Sequence, residues 1–126
     1  MRAVDTNVLV RLITRDDPRQ TAAAEHFIAT GAWVPTLVLA EAVWVLSTVY
    51  ELSTADQGKA LQMLLDHQEL VLHDRETVAA ALDLFRARPA LGFSDCLVIE
   101  SARKAGHLPL GTFDRNLARV EGAQRL

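Results

Sequence analysis

Short apolar runs alternate along this chain with longer segments of helical periodicity, and glycine, proline and small hydroxyl residues separate the two. This alternation is the strongest constraint on the fold. Residues 2–5 read as a first strand, followed by a helix over 8–14. Asp16-Asp17-Pro18 makes a break, and Pro18 suits the first turn of a helix that runs to residue 30 and ends at Gly31. Ala32–Val34 form a second strand. Pro35-Thr36 stop it and cap a long helix that reaches residue 50. Ser53-Thr54 start a fourth helix carrying Leu61, Leu64 and Leu65, and Leu70–Leu72 form a third strand. A helix over 76–87 follows, with Pro89 beyond its end. Ser94 opens another helix, apolar over 96–99 and closed by Gly106. Residues 108–110 read as a fourth strand. Gly111-Thr112 then turn the chain towards a short helix near 116–120, and 124–126 add an edge strand. Strands alternating with helices predict an α/β protein whose parallel sheet is covered by helices on both faces. In such sheets ligands bind beyond the carboxyl ends of the strands.

The length of 126 residues fits one compact domain, 1–126, and half of the residues are hydrophobic. No apolar run reaches the ~20 residues of a membrane-spanning helix. The first residues lack the pattern of a signal peptide, so the expected location is the cytoplasm. The single cysteine, Cys96, can form no internal disulfide, and its neighbours Leu97, Val98 and Ile99 mark it as a small buried hydrophobe. A net charge of −3 argues against a broadly basic nucleic-acid-binding surface. It leaves room for acidic residues gathered at a metal site with basic patches elsewhere.

Four carboxylates stand out by position. Asp5 follows the first strand, where an α/β site is built, and equally suits the cap of the next helix. Glu41 sits in Leu37-Val38-Leu39-Ala40-Glu41-Ala42-Val43-Trp44, apolar on almost every side. Such a helix is expected to be buried, and a carboxylate there costs several kcal/mol unless paired or metal-bound. Asp95 falls in the first turn of its helix, where the dipole favours an anion by ~0.3–1 kcal/mol and a capping role is the plain alternative. Asp114 follows the last clear strand and can also cap a helix. One rim of a parallel sheet can bring the four together. Clustered carboxylates repel unless cations are bound, and hard oxygen ligands of this kind suit Mg²⁺ or Mn²⁺. One or two such ions can hold a phosphodiester and activate water, with roughly 3.5–4 Å between ions in a two-metal arrangement.

Asp5-Thr6-Asn7, Glu41 in its apolar helix, Phe93-Ser94-Asp95 and Thr112-Phe113-Asp114 together resemble the acidic motifs of PIN-domain nucleases. The resemblance covers nearly the whole chain and is nearest to the VapC-type toxins of toxin–antitoxin pairs. It implies a three-layer α/β/α sandwich with a short central parallel sheet and metal-dependent endoribonuclease activity on RNA. Asp5, Glu41, Asp95 and Asp114 would be the catalytic and metal-binding residues, with Mg²⁺ as cofactor and Mn²⁺ as a substitute. Thr6, Asn7, Thr112 and Asn116 would be supporting polar residues. The resemblance also implies a small antitoxin partner and a homodimer. Two other classes stay open at this level. A receiver or phosphatase domain also carries Asp at its first strand end, although Asn7 and Asp74 fit those patterns poorly. A catalytically idle RNA-binding module would keep the acids as structure.

The remaining residues are less telling. His26, His67, His73 and His107 have no metal-ligand spacing, and no P-loop or nucleophile elbow is present. Arg11 with Arg15, Arg86 with Arg88, Arg103-Lys104 and Arg115 with Arg119 form basic groups, of which those nearest Asp95 and Asp114 suit RNA phosphates. Trp33, Trp44 and Tyr50 read as core or interface residues. The apolar excess around Trp44 suits a subunit or antitoxin interface.

Overall fold

The computed structural model describes all 126 residues and shows a helix-rich α/β chain with short parallel strands. It divides into two compact units, Met1–Arg75 and Glu76–Leu126. No helix is long and apolar enough to cross a membrane.

In the first unit, β1 (Arg2–Ala3), β2 (Ala32–Val34) and β3 (Leu70–Leu72) pair in parallel in that order. Helices α1 (Thr6–Thr14) and α2 (Pro18–Ile28) connect β1 to β2, and α3 (Thr36–Thr48) and α4 (Thr54–Asp66) connect β2 to β3. Parallel pairing demands such crossovers, because a tight turn cannot return the chain to the same edge. Period-two burial follows. Ala32, Val34, Leu70 and Leu72 are buried, whereas Trp33 and Val71, neighbours in the register, are exposed. Trp33 also meets His73 edge to face at 5.7 Å between ring centroids. The core gathers Leu9, Val10 and Leu12 of α1, Leu39, Ala42 and Leu46 of α3, and Leu61 and Leu64 of α4.

The helix ends differ from expectation for local reasons. Helix α1 begins at Thr6, two residues early, because Asp5 caps it. Helix α2 has the Pro18 start expected, and the Asp17 carboxylate accepts from the Gln20 amide at 3.0 Å. It stops at Ile28, where Gly31 at φ 95° donates its N–H back to the Ile28 carbonyl. Helix α3 has Pro35 at its cap position and no side-chain cap bond, so Thr36 opens the helix without capping it.

Arg11, Asp16 and Tyr50 tie the end of α1 to the segment after α3. Arg11 Nη1 donates to Asp16 Oδ1 at 3.0 Å and to the Tyr50 hydroxyl at 2.9 Å. Tyr50 donates to Asp16 Oδ2 at 2.9 Å, and Thr14 donates to Asp16 Oδ1 at 2.8 Å. Arg11 and Arg15, read above as basic surface groups, are thus each engaged, Arg15 with Glu25.

In the second unit, α5 (Arg75–Ala87) buries Val78, Ala81, Leu82 and Phe85, and Phe85 meets Phe93 edge to face at 6.1 Å. A one-turn 3-10 helix at Pro89–Leu91, absent from the sequence reading, leads to Gly92, whose φ of 80° turns the chain into α6 (Phe93–Ala105). The fourth strand, expected over 108–110, is instead β4 (Leu110–Thr112). Pro109 has no N–H to give a ladder, so pairing begins where Leu110 N donates to the Gly122 carbonyl at 2.8 Å. Its parallel partner is β5 (Ala123–Arg125), and Gly111 lets the Leu126 side chain approach where a Cβ would stand 3.3 Å from it.

The Asp16 network predicts an acid-sensitive contribution to stability. Hydrogen bonds from Thr14 and Tyr50, then the charge of Arg11, hold the Asp16 carboxyl below its ordinary range. A lowered folded-state pKa contributes stability above the unfolded pKa and loses it as pH falls through the folded value. Tyr50→Phe is expected to lower the melting temperature at neutral pH. The gap from wild type should close as pH falls below the carboxylate range, which thermal melts over a pH series would measure.

Candidate active site

Asp5 stands two residues beyond β1, just after Val4 N donates to the Trp33 carbonyl at 3.1 Å. Its backbone is extended while Thr6 begins the helix, which is the geometry of an N-cap. Oδ1 accepts from the Thr6 amide at 2.7 Å, and the Thr6 hydroxyl donates to Glu41 Oε2 at 2.8 Å. One threonine therefore fixes two of the four carboxylates relative to each other. Asp5 Oδ2 and Glu41 Oε1 carry no protein hydrogen bond. Both residues lie past the carboxyl ends of parallel strands, Asp5 after β1 and Glu41 in the second turn of the helix that follows β2.

The burial expected for Glu41 does not occur. Glu41 is exposed. Helix α3 buries Leu39, Ala42, Val43 and Leu46 but exposes Leu37 at 71% and Trp44 at 61%, so it is half-covered although apolar nearly all round. A carboxylate at the uncovered side pays little desolvation, and the cost inferred for a fully buried helix does not arise.

In the second unit, Asp114 follows β4 and organises its own turn. Its amide donates to Thr112 Oγ1 at 3.0 Å, and its Oδ1 accepts from the Leu117 amide at 2.9 Å. Asp95 occupies the first turn of α6 but caps nothing: Gly92 holds the cap position, without a side-chain cap bond. Asp95 is half-buried, and burial first, then the negative charge of Asp114, raises its pKa. The helix dipole, worth ~0.3–1 kcal/mol, acts in the opposite direction. Within either unit, no three acidic, imidazole or thiol side chains gather closely enough to hold an ion. Each unit instead presents an acidic pair, Asp5 with Glu41 and Asp95 with Asp114.

Of the supporting polar residues, Thr6 and Thr112 hydrogen-bond the acidic segments, whereas the side chains of Asn7 and Asn116 bond to none of the four acids. The Cys96 thiol is buried beside the pair, and burial, Asp95 and Glu100 push its pKa up to about 12, which keeps it a neutral core group. Arg103 pairs with Glu100 at 3.4 Å and Lys104 with Glu76 at 3.5 Å, while Arg115 and Arg119 are exposed without an ion pair.

Asp5 and Glu41 follow the carboxyl ends of parallel strands, where ligands bind in α/β proteins, and Asp114 follows β4. The PIN domain family model matches residues 2–123, and the chain belongs to that family, whose members are typically nucleases working with divalent metal ions. No curated protein and no solved structure matches the chain.

The Asp95 shift has a testable sign. A carboxyl whose folded pKa is raised favours the fold below its unfolded pKa and loses that contribution as pH rises through the folded value. Without divalent cations, Asp95→Asn is expected to melt higher than wild type at pH 7 and equally at a pH below the carboxylate range. A variant that melts lower at pH 7 would show that the charge of Asp95 is compensated within the protein.

Proposed function

We propose that the chain is a metal-dependent endoribonuclease that hydrolyses RNA phosphodiester bonds, working as one PIN-type domain over 1–126. The observation that carries this reading is Thr6 holding Asp5 and Glu41 together past the carboxyl end of β1. The proposal assigns both acidic pairs, Asp5 with Glu41 and Asp95 with Asp114, to binding Mg²⁺, with Mn²⁺ as a substitute. The donor chemistry fits: all four are carboxylates, and Asp5 and Glu41 each keep one oxygen free of protein bonds.

A divalent ion, when bound, neutralises phosphodiester charge and makes water easier to deprotonate. The protein's own part is orientation and charge. Thr6 directs the second oxygens of Asp5 and Glu41, and Thr112 with the Leu117 amide fixes Asp114. Burial and the charge of Asp114 raise the Asp95 pKa, and a neighbouring cation would favour its charged form. Glu41 Oε1 serves either as an ion ligand or as the acceptor of the attacking water's proton.

Asp5→Asn is expected to reduce RNA cleavage to background while keeping the fold, because asparagine caps helices as well as aspartate but carries no charge. Gel cleavage assays in Mg²⁺, Mn²⁺ and EDTA, beside circular dichroism, measure both. Wild-type turnover by the folded variant would remove Asp5 from the site. Glu41→Gln separates the two roles of Glu41. Weaker Mg²⁺ binding by calorimetry marks a ligand, and unchanged binding with lost turnover marks the base.

The finer reading is a cytoplasmic toxin held by a small antitoxin and forming a homodimer. Leu37 and Trp44, seven residues apart on one side of α3, supply exposed apolar surface for such contacts. Trp44→Glu is expected to weaken dimerisation or antitoxin binding, read by sedimentation of the protein alone and with its partner. Unchanged behaviour in both would take α3 out of the interface.

A further inference from the structure

Phe113 is 80% exposed, more than any other aromatic side chain in the protein. A phenylalanine left in water forgoes a large favourable burial that an occupant would restore. Its surroundings say which. Phe113 lies between Thr112 and Asp114, and the bonds from Asp114 N to Thr112 Oγ1 and from Leu117 N to Asp114 Oδ1 brace the backbone on both sides of it. Arg115, two residues on, is exposed and makes no ion pair. An anion-directed cation and an open aromatic ring thus flank one of the proposed metal-binding carboxylates in three consecutive residues.

We infer that Phe113 stacks on a nucleobase of single-stranded RNA beside the scissile phosphate, with Arg115 on the adjoining backbone. Single strands are recognised in this way, by aromatic faces that take any base and cations that follow the phosphates. An exposed cation with no ion pair two residues from the ring favours an anionic strand over a protein partner. The inference rests on the nuclease reading and names the substrate feature that the site grips.

The test is steady-state cleavage of a short oligouridylate by wild type, Phe113→Ala, Phe113→Leu and Phe113→Trp. Loss of one stack predicts a KM roughly ten-fold or more higher for the alanine variant, with kcat within about two-fold. Leucine, apolar without a π face, should behave like alanine, and tryptophan should restore KM. An RNA with a single abasic nucleotide, moved position by position, should weaken wild type at one position and leave Phe113→Ala unaffected there. RNA should also quench the fluorescence that Phe113→Trp adds relative to wild type, and an all-abasic polymer should not. Melting temperatures near wild type for Phe113→Leu and Phe113→Ala exclude a folding defect. If wild type cleaves RNA and Phe113→Ala does so with unchanged KM, the stacking role is overturned and the nuclease reading stands. Loss of partner binding alone in Phe113→Ala would overturn it in favour of a protein contact. If wild type neither binds nor cleaves RNA, both readings fall.

Discussion

A helix that begins two residues after a parallel strand has amide hydrogens with no intrahelical acceptor, and α1 meets that demand with the carboxylate of Asp5. The rest of the first unit's acidic pair depends on this bond. Because the carboxylate engages the Thr6 amide, Thr6 is fixed at the first helical position with its hydroxyl turned to Glu41. That contact requires α1 and α3 to keep a set separation, and the buried Leu9, Val10 and Leu12 of α1 and Leu39, Ala42 and Leu46 of α3 provide the packing between them. A cavity in this layer would therefore disturb the carboxylate geometry as well as stability.

The second unit orders its acids differently. Asp114 is held by its own turn, so its position is set by backbone geometry and little depends on distant packing. Asp95 has no comparable support. It sits where the helix dipole favours charge, yet partial burial and Asp114 together outweigh that benefit. An unsupported, half-buried carboxylate beside another carries a raised pKa, which disfavours its charged form in the fold.

The fold class was legible in the sequence because punctuation and periodicity agree. Pro18, Ser53 and Gly106 all stand at the element boundaries they suggest. Errors arose where a local rule met a neighbour unseen in sequence. The fourth strand moved past Pro109 because its hydrogen bonds come from the segment at Gly122 and beyond. The α3 reading failed for another reason: hydropathy says what a helix is able to bury, and the neighbours present decide how much it does bury. Leu37 and Trp44 remain exposed, and Glu41 with them. Asp5 and Glu41 were expected at one sheet rim from their places after strands, but the bond from the Thr6 hydroxyl to Glu41, across 35 residues, had no local signal.

For Asp5 and Asp114, the sequence offered capping and metal binding as alternatives, and the structure shows the capping bonds, which are compatible with both. A carboxylate has two oxygens. In Asp5 and Asp114 a single oxygen, Oδ1, accepts the helix amide, and this use depends on hydrogen-bond geometry rather than on full charge. The second oxygen and the net charge stay available for a cation. An amide substitution thus separates what a cap requires from what an ion would require. Asp95 makes no cap bond, so the dipole of α6 is the one structural reason for a charge there.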